Sequence, residues 1–336
     1  MSDHVAPDRL RQMVFGFAPP LLIEAGVRTG VFDTLEQGPL DLAALASATG
    51  TSHRGMGALA NALVGLGLLA KAADDRYELT PESAAFLVRS KPEVNVGGLF
   101  AHASTQLIPA WLHIVEAVTT GRPPIAINRE TGGAEFFAAF VEALLPMGWF
   151  GARALAGHLA ESGSAPVRIL DIAAGSGVWS IPSAQRFPDT RVVAVDWPDV
   201  LAVTRRVVER YGLVDRYELR AGDIGTADFG TGYSLAVLGQ ILHSEGEERG
   251  RALLRKVFDA LAPGGTVAIA EFLVDPDRRG PPLGLIFAVN MLINTDHGST
   301  WSAAEIGGWL REAGFTDVRS LAVPAPSPLI LATKPG

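Results

Sequence analysis

The chain has 336 residues and a mass of 35.4 kDa, which predicts two domains and is long enough for a full hydrophobic core. It contains no cysteine, so disulfides, thiolate metal sites and a cysteine nucleophile are excluded. A net charge of −8 disfavours nucleic acid and anionic membranes as partners. Residues 1–8 show no export signal, and no apolar run is long enough to span a membrane, so we expect a cytoplasmic protein without a membrane partner.

Residues 1–100 have the pattern of a small helical domain. Helix-spaced apolar positions occur in Asp41–Ala46 and Ser52–Leu69, and short apolar runs on both sides of Ala73–Arg76 are typical of a β-hairpin. Two helices followed by a hairpin predict a winged helix. The first ninety residues contain seven basic and ten acidic residues, which is too little positive charge for a DNA-binding surface. We therefore predict that this domain forms a homodimer and binds no nucleic acid.

Residues 101–160 are predicted to form a helical linker. Two amphipathic stretches, Gln106–Thr119 and Ala134–Glu161, have helical spacing and carry many aromatic residues. Aromatic side chains at this spacing are most often core residues, but they could also line a ligand pocket. Both interpretations remain open for each of them.

Short apolar strands alternate with helices over residues 161–336. The predicted strands are Val167–Ala173, Arg191–Val195, Tyr217–Ala221, Ser234–Leu238, Thr266–Glu271, Val318–Val323 and Leu329–Lys334. Alternation of this kind predicts a doubly wound α/β domain with a parallel sheet. The last two strands flank a proline-rich turn and are expected to close a seven-stranded sheet as an antiparallel hairpin.

A glycine-rich turn follows the first of these strands. Gly175 and Gly177 would let the backbone turn tightly and approach a ligand, with a helix expected to start near Val178. Asp171, four residues before Gly175, would repel a pyrophosphate and favour a ligand with a cationic group. An ordinary strand-to-helix turn without a ligand explains this stretch alone equally well.

Two further strands also end in an acid. Asp196 lies nineteen residues after Gly177, where a carboxylate can accept both hydroxyls of a ribose. Asp223 beside Ile224 suits an adenine, whose amino group donates while its faces need apolar contacts. An NAD-linked oxidoreductase would use the same turn and Asp196, although Ser180 and Asp171 argue against it. The pattern therefore indicates a nucleoside-containing ligand.

These motifs, in this order and followed by Leu261–Gly265, resemble class I S-adenosylmethionine-dependent methyltransferases. Nearly the whole chain is similar to small-molecule O-methyltransferases typified by plant caffeate methyltransferases and bacterial antibiotic-pathway enzymes. That resemblance implies a winged-helix dimerisation domain, a Rossmann-like catalytic domain and S-adenosylmethionine as cofactor. It implies these cofactor-binding residues: Asp171, Gly175, Gly177, Asp196, Trp197, Asp223, Ile224 and Gln240.

The resemblance also implies a catalytic pair. His243, after the fourth strand, falls at the position of the family's general base, and Glu271, after the fifth, at that of the acid that orients it. The family usually has Asp where this chain has Ser244, and its second acid would fall at Ser302 or Ala303. The base is therefore oriented from one side only, or the chemistry differs. A histidine that merely caps a helix or packs at the strand end is the structural alternative.

The acceptor pocket is implied in the same way. Its predicted residues are Phe100, Trp111, Phe137, Phe140, Met147, Phe287, Asn290, Met291 and Asn294. We predict a homodimeric O-methyltransferase of secondary metabolism that acts on a hydroxylated aromatic or similarly apolar small molecule. His297, with His243 and a nearby carboxylate, leaves an iron-dependent C-methyltransferase as an alternative, although a plain loop histidine is the simpler interpretation. A winged-helix protein that only senses a ligand is the non-enzymatic alternative.

Overall fold

The structure is a computed structural model that describes residues 7–124, 127 and 130–336. It divides into two compact units, Met1–Pro109 and Ala110–Gly336. Our division into 1–100, 101–160 and 161–336 stays a prediction, and residues 1–6, part of the segment judged to carry no export signal, lie outside the described residues. None of the helices in the described ranges is long and apolar enough to cross a membrane.

The amino-terminal unit is mainly helical. Its helices are α1 (Asp8–Met13), α2 (Ala18–Thr29), α3 (Val31–Leu35), α4 (Leu42–Ala48), α5 (His53–Gly65), α6 (Pro81–Phe86) and α7 (Gly97–His102), followed by a π-helical turn at Ala103–Leu107. The antiparallel hairpin consists of β1 (Leu69–Lys71) and β2 (Tyr77–Leu79). Asp41 and Ser52 cap α4 and α5, because each side chain accepts a backbone N–H three residues ahead. The order of α4, α5 and the hairpin is that of the predicted winged helix.

The carboxy-terminal unit is built around one sheet. Its strands are β3 (Arg168–Ile172), β4 (Arg191–Asp196), β5 (Tyr217–Ala221), β6 (Tyr233–Gly239), β7 (Leu261–Ala270), β8 (Thr316–Leu321) and β9 (Leu329–Thr333). The helices from the unit boundary onward are α8 (Ile108–Trp111), α9 (Ile114–Thr120), α10 (Glu130–Phe140), α11 (Leu145–Glu161), α12 (Ile181–Arg186), α13 (Pro198–Arg210), α14 (Leu242–Ala260), α15 (Pro282–Asn294) and α16 (Ala303–Glu312). Short 3₁₀ turns occupy Val141–Leu144 and Val214–Arg216.

The sheet order is β5-β4-β3-β6-β7-β9-β8, with the first five strands parallel and β9 antiparallel to both its neighbours. This confirms the predicted seven-stranded sheet with its closing hairpin. The chain runs outward from β3 to β5 and then crosses to β6, so the topology reverses between β3 and β6. In open α/β sheets, ligands bind outside the carboxyl ends of the strands at such a point. The predicted acids and histidine all lie on this side.

Two predicted helices of the linker are interrupted. The stretch Gln106–Thr119 is not one helix, because it contains the end of the π-helical turn and then α8 and α9. Pro109, in α8, has no N–H to donate, which agrees with the change from π-helical to α-helical bonding beside it, and the break between α8 and α9 falls at Leu112 and His113. The stretch Ala134–Glu161 is divided by the 3₁₀ turn at Val141–Leu144, immediately before Pro146 in α11.

Candidate functional site

The glycine turn after β3 has a strained backbone. Ala173, Gly175 and Gly177 all have positive φ, at 53°, 56° and 76°. A Cβ on Gly175 would lie 2.8 Å from the side chain of Val141, so this position has room for backbone only. The predicted helix start at Val178 was wrong: α12 begins at Ile181, because the left-handed Gly177 carries the chain out of helical geometry first. The turn thus brings the half-buried backbone of Ala173 and Gly175 to the switch point.

Asp196 at the end of β4 holds this turn. Its Oδ2 accepts the Gly175 N–H at 2.9 Å, and its Oδ1 accepts the Trp197 N–H at 2.8 Å. Burial raises the pKa of Asp196 to about 6, although both N–H donors act in the opposite direction. Each carboxylate oxygen has a further lone pair, so the oriented group can accept hydroxyl donors.

Asp171 is buried in the middle of the sheet and is 1% exposed. It accepts a hydrogen bond from Ser180 Oγ, which lies 2.9 Å from the hydroxyl of Tyr217. Burial raises its pKa to about 7, the Ser180 hydrogen bond opposes that rise, and the charge of Asp196 adds to it. In the part of the chain that the structure describes, no Lys, Arg or His forms an ion pair with Asp171. The carboxyl group therefore suits a cationic ligand group.

The predicted adenine residues follow β5. Asp223 accepts the Gly225 N–H at 2.8 Å, and its Oδ1 lies 3.8 Å from Nη2 of Arg249. Arg249 lies on α14, so its contact with Asp223 connects this loop to the helix. Arg249 also binds the buried Glu245, on the same helix, at 2.7 Å. The side chain of Ile224 packs in the core of the sheet.

A cluster of three aromatic side chains lies beside the end of β4. The ring of Phe137 is 6.1 Å from that of Trp197 and 5.5 Å from that of Phe140. These two predicted acceptor residues are thus placed next to a predicted cofactor residue. Their roles stay predictions.

His243 and Glu271, whose catalytic roles stay predictions, form a hydrogen-bonded pair. Nδ1 of His243 lies 2.7 Å from Oε2 of Glu271, and the His243 backbone N–H donates to Oε1 at 3.2 Å. The side chains of Glu271 and His243 are only 2% and 12% exposed. Because a carboxylate accepts, the proton of a neutral imidazole belongs on Nδ1, and the lone pair is left on Nε2.

The other sides of His243 are apolar. The Phe287 ring stands edge-on to the imidazole at a centroid distance of 5.0 Å, and the Phe272 ring is 6.1 Å away. The Ser302 hydroxyl accepts the Glu305 N–H and so caps α16. The position at which the family's second acid would fall is therefore occupied by a helix cap. Within the described residues, Glu271 is the one carboxylate hydrogen-bonded to the His243 ring. The imidazole is therefore oriented from one side only.

Trp179, which the sequence analysis did not single out, packs on the end of β6. A Cβ on Gly239 would lie 2.0 Å from its indole, and one on Gly151 would lie 3.0 Å from it. These glycines make room for the indole. A small cavity beside Glu271 is lined by Met147, Trp179, Gln240, Phe272 and the turn Ala325–Ser327. Predicted residues Met147 and Gln240 thus lie near Glu271.

Helix α15 supplies the rest of the predicted acceptor wall. Phe287, Asn290, Met291 and Asn294 follow a helical i, i+3, i+4, i+7 spacing and share one face. Trp111 joins this group, because its Nε1 donates to Asn290 Oδ1 at 2.9 Å. Phe100, by contrast, packs against the core of the amino-terminal unit.

His297 is exposed in the loop after α15. Its backbone lies beside Gly246, where an added Cβ would meet the His297 carbonyl oxygen at 2.6 Å. No group of three or more His, Asp or Glu side chains converges to hold a metal ion anywhere in the described ranges. The structure therefore adds no observation in favour of the iron-dependent alternative.

Comparison with known proteins agrees with this arrangement. Residues 161–316 match an O-methyltransferase domain, and residues 11–89 match an O-methyltransferase dimerisation domain. The chain is 30% identical to the tetracenomycin polyketide synthesis 8-O-methyl transferase TcmO of Streptomyces glaucescens, with both chains covered completely. It is 32% identical to the 3-hydroxy-5-methyl-1-naphthoate 3-O-methyltransferase of Streptomyces sahachiroi, over 95% of this chain and 92% of that one.

A solved structure also superposes on nearly the whole chain. The structure of PigF with SAH has a TM-score of 0.82 and 26% identity, and covers 98% of this chain and 100% of its own. PigF is an S-adenosyl-L-methionine-dependent methyl transferase of Serratia sp.. The family match, the two-domain order and the position of the predicted acids and glycine turn at the switch point all agree. The chain therefore belongs to the S-adenosylmethionine-dependent O-methyltransferase family.

Proposed function

We propose that this enzyme transfers a methyl group to a hydroxyl of an aromatic, largely apolar small molecule of secondary metabolism, with His243 as the general base. One observation carries this proposal: the His243–Glu271 pair, 2.7 Å apart, lies at the carboxyl ends of β6 and β7 with Phe272 and Phe287 beside it. The names of the two Streptomyces relatives, which act on polyketide and naphthoate compounds, support an aromatic acceptor.

The residues around the glycine turn fit the cofactor. Gly175 has a positive φ and packs against Val141, so only glycine lets the turn take this conformation, and the buried Asp171 offers negative charge to a cationic amino group. We assign Asp171, Gly175 and Gly177 to the methionine part and Asp196 to the ribose. Asp223 and Ile224 are assigned to the adenine, with Trp197 and Gln240 completing the set. When bound, S-adenosylmethionine supplies a methyl group on a positively charged sulfur.

Proton transfer from the acceptor hydroxyl is assigned to side chains of the protein. The Nε2 lone pair of His243 accepts the proton of the acceptor hydroxyl, so that the oxygen becomes a better nucleophile. Glu271 keeps the ring oriented and offsets the positive charge that the ring acquires. Phe272 and Phe287 exclude water from the base and offer flat apolar faces to an aromatic acceptor.

The direct test is calorimetric titration of the purified protein with S-adenosylmethionine, S-adenosylhomocysteine and NAD, followed by mass spectrometry of hydroxylated naphthalenes and anthraquinones incubated with the methyl donor. We expect binding of the first two ligands, none of NAD, and a mass gain of one methyl group on oxygen. Methylation on carbon, or turnover that is lost when iron is removed and returns only when iron is restored, would refute the proposed chemistry.

The affinity for S-adenosylmethionine is expected to rise with pH. With pKa values of about 7 and about 6, Asp171 and Asp196 are largely protonated in the free protein at low pH. A ligand that binds their ionised forms lowers both pKa values and releases protons, so its affinity falls as pH drops, by up to about tenfold per pH unit for each proton released. Calorimetry between pH 5.5 and 8, in two buffers of different ionisation enthalpy, counts these protons. Asp171→Asn should flatten the profile, and a flat wild-type profile would refute the assignment.

We also propose that the enzyme is a homodimer through its amino-terminal unit. Five apolar side chains of α1 and the turn after it are more than half exposed: Leu10, Met13, Val14, Phe15 and Phe17. Exposed apolar groups of this size mark interaction surfaces, and the segment overlaps the dimerisation-domain match. Light scattering should give twice the chain mass for the wild type and the chain mass for Phe15→Asp/Phe17→Asp. Leu66→Asp, which alters an exposed residue elsewhere in this unit, should stay dimeric, and a dimeric double variant would contradict the assignment.

A further inference from the structure

Three polar side chains form a hydrogen-bonded chain beside the glycine turn. Asp171 on β3 accepts a hydrogen bond from Ser180 Oγ, and this oxygen lies 2.9 Å from the hydroxyl of Tyr217, the first residue of β5. Asp171 and Ser180 are buried. The function proposed above uses Asp171 alone and gives Ser180 and Tyr217 no role.

The hydrogen bonds of this chain have a defined direction. Ser180 has one hydroxyl hydrogen, and an ionised Asp171 can only accept it. A charged acceptor binds more strongly than the Gly177 carbonyl, which lies 3.2 Å from the same oxygen. The Tyr217 hydroxyl must then donate to Ser180 Oγ, and it strengthens the bond that Ser180 makes, because hydroxyl groups in a chain polarise one another. The chain therefore favours the ionised form of Asp171.

The sheet explains how Tyr217 reaches a side chain two strands away. In the parallel register Asp171 lies opposite Ala194 of β4, and Tyr217 lies opposite Val192 of the same strand. Paired residues and residues two apart along a strand share a face, so Asp171, Ala194 and Tyr217 point to the same side of the sheet. Tyr217 packs against the small apolar cluster that contains Ala194. The short alanine side chain leaves room for the tyrosine ring to cross β4.

The second oxygen of Asp171 is open to a ligand. Ser180 is bonded to Oδ2, and no residue in the described part of the chain donates a hydrogen bond to Oδ1. Oδ1 is also not sealed inside the protein, because the one enclosed side-chain polar atom without a partner among the described residues is Ser183 Oγ. Asp171 therefore presents one free carboxylate oxygen while the Ser180 hydrogen bond fixes the other.

Resting on the proposed function, we propose that Ser180 and Tyr217 are positioning residues for the methyl donor: they keep Asp171 ionised and oriented so that its free oxygen binds the α-ammonium group of S-adenosylmethionine. Tyr217 acts through Ser180, and Ser180 acts through Asp171. An ion pair with a hydrogen bond is stronger than a neutral hydrogen bond, so the chain makes the site selective for a donor that carries this ammonium group.

A matched pair of ligands tests this proposal. S-Adenosylhomocysteine and 5′-S-(3-carboxypropyl)-5′-thioadenosine differ only by the α-ammonium group, which the second ligand lacks. Their dissociation constants are measured by calorimetry on the full-length protein at one neutral pH, so the result does not depend on turnover. The ratio of the two constants is the ammonium preference. We expect S-adenosylhomocysteine to bind at least about tenfold more tightly to the wild type.

Variants assign this preference to the hydrogen-bonded chain. Ser180→Ala should reduce the ammonium preference at least about fivefold, because a charged group loses its donor. Tyr217→Phe, which keeps the packed ring, should reduce it at least about threefold. The double variant should lose no more than Ser180→Ala, because Tyr217 acts only through Ser180. Ser183→Ala alters another buried serine, which has no hydrogen-bond partner within the described structure, and should keep the preference within about twofold.

Thermal unfolding of each variant checks that it folds, and Tyr217→Phe carries the test if Ser180→Ala does not fold. An unchanged ammonium preference in these variants, or no preference in the wild type, would overturn the inference. Equal losses of affinity for both ligands would show a purely structural role and would also overturn it. Additive losses in the double variant would contradict the assignment of Tyr217.

The same titrations separate the two proposals. Failure of S-adenosylhomocysteine to bind the wild type would refute the cofactor site and with it the proposed function. Binding of this ligand with an ammonium preference that the variants leave unchanged would refute only the roles of Ser180 and Tyr217.

Discussion

Replacing His243 with alanine is expected to lower kcat by about 10²–10⁴-fold, the range typical of a lost general base. The reason is geometric: Glu271 occupies Nδ1, so Nε2 is the nitrogen left to take the acceptor's proton. The affinity for S-adenosylmethionine should change little, because the residues assigned to the methionine part, the ribose and the adenine lie in or just after β3, β4 and β5, whereas His243 follows β6. Steady-state turnover of the best acceptor from the screen, together with calorimetry of cofactor binding, measures the two effects separately.

His297→Ala is the matched control for that variant. His297 is an exposed loop histidine on the same unit, so its removal should leave kcat within about twofold of the wild type. If His297→Ala also abolished turnover, the two histidines would act together, as the iron-dependent alternative requires. If His243→Ala kept wild-type turnover, the assignment of the base would be refuted.

The strands could be predicted because local signals coincide there. β3 and β4 are runs of buried residues that end in a glycine turn or in Asp-Trp-Pro, so burial and termination both show in the sequence. The helices of the linker were harder to predict. Apolar periodicity continues through Pro109 and Pro146 although regular α-helical hydrogen bonding does not, so a periodic pattern alone joined segments that the backbone separates.

The residues of the site also divide into those that could be predicted from the sequence and those that could not. Asp171, Asp196, His243 and Glu271 could be located because each lies at or shortly after the carboxyl end of a strand, and parallel strands bring these ends to one edge. The contact of Ser180 with Tyr217 could not, because 37 residues separate them and only the folded chain brings the two hydroxyls together. Trp179 was missed for a similar reason: the glycines that accommodate it lie on α11 and at the end of β6, and only the tertiary structure brings them together.

Glu271→Gln is expected to lower kcat by a comparable factor, about 10²–10⁴-fold, although glutamine has the same shape. Oε1 of Glu271 accepts the His243 backbone N–H, while Oε2 accepts from Nδ1 of His243 and from the Phe272 N–H. An amide has one oxygen, so in either orientation its NH₂ group faces an N–H donor. One orientation leaves a donor at the start of α14 unsatisfied, and the other forces the imidazole proton onto Nε2, where the base needs its lone pair.

The stability of this variant should fall as well, by about 1–3 kcal/mol, because a buried N–H loses its acceptor. Turnover of the best acceptor and thermal unfolding measure both effects on one preparation. Glu245→Gln is the matched control: its carboxylate is also buried beside His243 in the chain, but it binds Arg249 instead of the imidazole. That variant should keep kcat within a few fold of the wild type. Wild-type turnover by Glu271→Gln would show that the negative charge and double acceptance of Glu271 are dispensable, and that His243 is positioned by packing against Phe272 and Phe287 alone.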